Sequence, residues 1–130
     1  MKTIDELLKQ YEIKDPECGA CVNDGWVPMI EKLIQELIAL GWDKNLQQIK
    51  EKFGGLRFYV GCATPEMYEL ISQAENDSFK TCSSCSQEAV CKPLTSTNFW
   101  LLTLCNSCRE RISSERAETL NKTLKKIKSF

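Results

Sequence analysis

Six of the eight cysteines in this chain fall in pairs separated by two residues: Cys18 with Cys21, Cys82 with Cys85, and Cys105 with Cys108. Such a turn points two sulfurs at one spot, so in a reducing compartment it reads as half of a metal cage or a redox pair before a disulfide. The last two pairs together spell Cys-x2-Cys-x19-Cys-x2-Cys, the spacing of a structural zinc site. Cys82, Cys85, Cys105 and Cys108 are therefore the expected metal ligands, and one structural Zn2+ is the expected cofactor. Four thiolates complete a tetrahedron, which leaves no position for an activated water and speaks against a catalytic metal. Cys18 and Cys21 make a third knuckle that Cys62 and Cys91 could complete, but no spacing requires it. A thiol ending a strand, as Cys62 does, or lying within one, as Cys91 does, ordinarily serves as a small buried apolar group, so a second site is not expected.

The second chemical feature is the stretch KEKFGGLRFYV, Lys50 to Val60. With Gly54-Gly55 at the turn of a hairpin, Phe53 faces Leu56, Lys52 faces Arg57, Glu51 faces Phe58, Lys50 faces Tyr59 and Ile49 faces Val60. Alternation sends Ile49, Phe53, Leu56, Phe58 and Val60 to one side and Lys50, Lys52, Arg57 and Tyr59 to the other. Like charges opposite one another are unfavourable unless an anion or acidic side chain lies between them. One reading is a solvated face whose charges keep the sheet from adding strands. The other is an anion site: Arg57 grips a phosphate or carboxylate bidentately, the lysines add point charges, and Tyr59 offers a ring and a hydroxyl. Lys50, Lys52, Arg57 and Tyr59 are the candidate ligand-binding residues. Glu51, on the apolar side, escapes at the sheet edge or forms a structural ion pair with a buried base.

The elements that must position these groups follow from periodicity. Thr3 and Glu6 form a capping box ahead of a helix from Ile4 to Tyr11. A stronger helix carries Trp26, Ile30, Leu33, Ile34, Leu37 and Ile38 on one stripe, with Asn23 or Asp24 as its cap, Pro28 in its first turn and Gly41 at its end. After the hairpin, Thr64-Pro65 opens a helix with Met67, Leu70, Ile71 and Ala74 on one face. From about Lys80 the expected order is a knuckle, a strand through Val90 to Leu94, a turn at Thr95 to Asn98, and a strand from Phe99 to Leu104. A helix from Asn106 to about Lys128 then carries the second knuckle. The fold class is α+β: helices packed on a small antiparallel hairpin sheet over residues 1–79, then a treble-clef-like zinc finger with four cysteine ligands and a terminal helix over residues 80–130. The terminal stripe of Ile112, Leu120, Leu124 and Ile127 is thin, which suggests a homo-oligomer through that helix.

Net charge is −1, but the chain up to Lys80 carries −5 and the remainder +4. The longest apolar run is a few residues, too short to cross a membrane. The acidic amino-terminal stretch lacks the apolar centre of a secretory peptide, so a cytoplasmic location is expected.

GWVPMIEKL, then KEKFGGLRFYV, then a helix and a finger ending in WLLTLCNSC resemble a family of small uncharacterised bacterial and phage proteins. The likeness runs from Asp24 to Cys108, and KEKFGGLRFYV is its most specific element. It implies a shared two-part build and no catalytic residues. Its phage members point to counter-defence as a role.

The chain has no histidine. Ser-His and Cys-His pairs, histidine-metal nuclease centres and zinc-deaminase chemistry are therefore absent, and no Gly-rich nucleotide loop precedes a helix. The leading expectation is a non-enzymatic, zinc-stabilised protein that binds a phosphate-bearing ligand, a nucleotide or nucleic acid, on the basic hairpin face. The alternative is a protein-binding inhibitor or adaptor acting on a host immune factor through the acidic first lobe.

Overall fold

The computed structural model describes residues 2–14, 20–94 and 100–115. Thr3 begins the first helix, α1 (Ile4–Gln10), by accepting a hydrogen bond from the Glu6 amide at 3.2 Å. A two-residue strand, β1 (Ala20–Cys21), and a 3-10 turn (Asp24–Trp26) lead into α2 (Val27–Ala39). Pro28 lies in the first turn of α2, as its preset φ allows. Neither Asn23 nor Asp24 makes the expected side-chain cap, because the 3-10 turn extends the helix start backwards and supplies its own backbone bonds. Gly41, at φ +89°, ends the helix.

β2 (Leu46–Lys52) and β3 (Gly55–Val60) form the antiparallel hairpin, and β1 adds to β2 in parallel, giving the order β1-β2-β3. Sequence periodicity alone places Ala20 and Cys21 in a loop; their pairing with Ile49 and Lys50 is long-range and only two residues long. α3 (Pro65–Ser78) is capped by Thr64, whose hydroxyl accepts from the Met67 amide. This helix also closes the outer edge of β3: the Leu56 amide donates to Ser78 Oγ at 2.8 Å and the Phe58 amide to Glu75 Oε2 at 3.1 Å. Edge amides that would otherwise face another strand are thus satisfied by side chains.

Alternation works as expected on the buried side. Ile49, Leu56, Phe58 and Val60 join Trp26, Ile30, Ile34 and Leu37 of the helix layer in one apolar core. The second apolar cluster is small, built from Ala89, Leu94 and Leu104 around Cys82 and Cys108. It belongs to the finger, in which β4 (Val90–Pro93) pairs antiparallel with β5 (Leu101–Leu104), and a helix over residues 106–115 follows. Ile112 packs on this cluster, while the expected Leu120, Leu124, Ile127 stripe and the turn at Thr95 to Asn98 lie outside the described residues. No described helix is long and apolar enough to cross a membrane.

Candidate metal centre and basic hairpin face

The two knuckles stand at either end of the finger hairpin. Cys82 and Cys85 precede β4, whereas Cys105 and Cys108 flank the start of the last helix, and the β4-β5 ladder brings the two ends together. The sulfurs of Cys82, Cys85, Cys105 and Cys108 all lie within 4.8 Å of one another, and those of Cys85 and Cys105 are 3.5 Å apart. Tetrahedral thiolates around one ion would stand about 3.8 Å apart, from metal–sulfur bonds of about 2.3 Å. The spacing fits such a centre.

Electrostatics explains why the cage calls for a cation. The Gln87 amide donates to Cys85 and favours its thiolate. Burial and the Cys105, Cys108 and Cys82 sulfurs together outweigh that bond and push the Cys85 thiol up to about 12. Crowded thiols resist ionising beside one another, and a bound divalent ion reverses that preference. Arg111 brings positive charge beside the cage: the neighbouring Cys108 sulfur and then Glu115 raise its pKa, and its guanidinium donates to Glu115 and Ser84 Oγ.

Arg109, next in sequence to Cys108, is 8 % exposed and plays a different part. Its guanidinium donates to the carbonyls of Lys92, Pro93, Val90 and Leu102, so one side chain ties the second knuckle to both strands of the finger hairpin. Motif and periodicity assign this residue no role, and only its place beside the fourth cysteine hints at one.

Backbone stitches join the finger to the first lobe. The Gly25 amide donates to the Ser83 carbonyl, Trp26 Nε1 to the Thr81 carbonyl at 2.8 Å, and Thr103 Oγ1 to the Gly54 carbonyl at 2.6 Å. Among the described residues, Cys21, Cys62 and Cys91 join no metal-ligand cluster, and Cys18 lies outside them. The expectation that Cys62 and Cys91 are buried fails. Cys62 is exposed just past the end of β3, and Cys91 is half-buried in β4, with its sulfur 3.6 Å from the Phe53 carbonyl.

The hairpin keeps its predicted sides but not its predicted partners. Its turn is Phe53-Gly54, at φ +54° and +84°, so Lys50 faces Arg57, Glu51 faces Leu56 and Lys52 faces Gly55. Moving the turn by one residue changes the pairing by two, which preserves the side of every strand residue. Gly55 is needed for another reason: a Cβ there would lie 2.2 Å from the Phe79 ring. Phe53 leaves the apolar side for the turn and is exposed. Among the described residues Glu51 forms no ion pair; its carboxylate accepts from the Gly54 amide at 2.6 Å and braces the turn.

The other side carries the four candidate residues. Half-buried Lys50 and Arg57 stand directly across the ladder, Lys50 Nζ lies 5.7 Å from the centroid of the exposed Tyr59 ring, and Lys52 Nζ lies 5.6 Å from that of Phe53. No carboxylate pairs with Lys50, Lys52 or Arg57 among the described residues. No family model, curated protein or solved structure matches this chain, so its site is read from geometry.

Proposed function

We propose that the chain is a non-enzymatic, zinc-stabilised binding protein that takes a phosphate-bearing ligand on the hairpin face of Lys50, Lys52, Arg57 and Tyr59. The observation that supports this reading is the direct juxtaposition of Lys50 and Arg57, with no carboxylate paired to either among the described residues. Two cations across a ladder repel, and an oxyanion seated between them removes the repulsion while gaining charge-assisted hydrogen bonds. Zinc suits the cage because four thiolates fill its tetrahedron, and such a centre contributes folding energy rather than chemistry. The absence of histidine supports the same division of labour.

Native mass spectrometry tests the metal through one zinc mass per chain. Calorimetric titration with inorganic tripolyphosphate tests the face. Binding should weaken with salt and disappear in Arg57→Ala. A wild-type protein that gives no heat at low salt would sink the phosphate reading.

A second reading, a protein-binding inhibitor or adaptor, is favoured by one feature. A groove of about 530 Å³ between α2 and α3 is lined by Leu40 and Leu70 and edged by Glu36, Glu66 and Glu69. Its apolar floor and acidic rim suit a basic protein surface. A host immune factor is the partner class that the counter-defence role would require.

A further inference from the structure

Phe53 occupies a costly position. Bulky residues rarely adopt φ near +54°, the turn would accept asparagine or glycine more readily, and the ring is 68 % exposed, so core packing does not account for it. Across a cleft of about 470 Å³ lies a second large aromatic, Trp100, 64 % exposed, whereas Trp26 and Trp42 are buried. Lys52, Leu101 and Glu51 complete the lining, and the Glu51 carboxylate is engaged by the Gly54 amide. Lys52 links this cleft to the basic face: it lies two residues from Lys50 on the same side of β2, and its ammonium stands over the Phe53 ring.

We propose that the cleft receives unpaired bases of a single-stranded nucleic acid whose phosphates run along Lys52, Lys50 and Arg57. The inference rests on the basic-face reading and adds the class of ligand. Aromatic rings beside a cationic track are the means by which proteins hold single strands without reading sequence, because every base has a π face. A duplex offers no free base faces, and a chain of net charge −1 has too little positive charge to depend on a duplex backbone. A simple anion would use the lysines and Arg57 but would leave both rings exposed.

The test uses the metal-loaded full chain and two fluorescent probes of about twelve nucleotides, oligo(dT) and an abasic strand of equal charge, at low salt. Oligo(dT) should bind more tightly and quench tryptophan emission, since Trp100 is the exposed tryptophan. Trp100→Ala and Phe53→Asn, the latter a residue that tolerates the turn conformation, should each weaken oligo(dT) binding roughly ten-fold and leave the abasic strand unaffected. Equal binding of both probes, without quenching and without effect of either variant, overturns base recognition while the phosphate reading stands. Failure of both probes and of tripolyphosphate removes both. A proline-rich peptide that binds the wild type but not Trp100→Ala, with no response to oligo(dT), gives the cleft to a protein and overturns the proposal.

Discussion

Gly25 and Ser83 lock the metal loop onto the start of α2: the Gly25 amide donates to the Ser83 carbonyl at 2.9 Å, and Ser86 Oγ returns a bond to the Gly25 carbonyl at 2.6 Å. Contact is so close that a Cβ on Gly25 would sit 2.4 Å from the Cys82 carbonyl oxygen. Gly25→Ala must push away the loop that carries Cys82 and Cys85. Zinc affinity should fall roughly ten- to a hundred-fold, the range for residues that orient ligands, in competition with a chromophoric chelator. Unchanged affinity would mean that the knuckle is set by the metal alone.

Arg109→Met should destabilise the finger by about 3 kcal/mol, because four carbonyls lose their donors inside a small core. Arg109→Lys should recover little of this, since an ammonium cannot span both strands as the planar guanidinium does. Denaturant unfolding of both variants gives the comparison. Full recovery in the lysine variant would show that charge matters there and geometry does not.

Arg57→Ala should change stability by no more than about 0.5 kcal/mol, as expected for a side chain with no carboxylate partner among the described residues. A loss of about 3 to 5 kcal/mol on thermal melting would instead reveal a buried ion pair. Lys50→Ala should be neutral or slightly stabilising, because it removes the like charge facing Arg57.

The Glu31 carboxylate is held below the ordinary range by its bond to Lys2, with Tyr11 also donating, and these contacts fasten α1 to α2. A depressed folded pKa means that the unfolded chain binds the proton more readily, so the contribution is present above the unfolded value of 4.5 and lost as pH falls through the folded value. Glu31→Gln should therefore melt earlier than wild type near neutrality, and the gap should close on acidification. A gap that is constant with pH would attribute the effect to packing.

Much of the metal site is legible in the sequence because cage chemistry constrains it: two thiolates per knuckle and a hairpin between knuckles leave few spacings that close on one ion. Hairpin sides are legible for a similar reason, since alternation has only two solutions and one buries Ile49, Leu56, Phe58 and Val60. Register is not legible. Gly54-Gly55 offers two turns, and neither the pattern nor the glycines choose between them; the observed turn sets Gly55 against the ring of Phe79, far along the chain. β1 escapes for the same reason, because Ala20 and Cys21 are a strand only through Ile49 and Lys50. Ser78 and Glu75 read as ordinary helix residues, yet they satisfy the amides at the edge of β3.

The stitches between the finger and the first lobe share one property: Gly25 N, Trp26 Nε1, Thr103 Oγ1 and Ser86 Oγ all donate to main-chain carbonyls. A carbonyl is supplied by every amino acid, so the acceptors Thr81 and Ser83 place no demand on their own side chains. Mutational drift at half-buried Thr81 can proceed without unfastening the junction, whereas Ser83 is buried and its replacements are limited in size. The side-chain donors and the crowded acceptors Gly25 and Gly54 cannot drift in the same way, and an evolutionary record of this joint would be lopsided, fixed at those positions and permissive at Thr81.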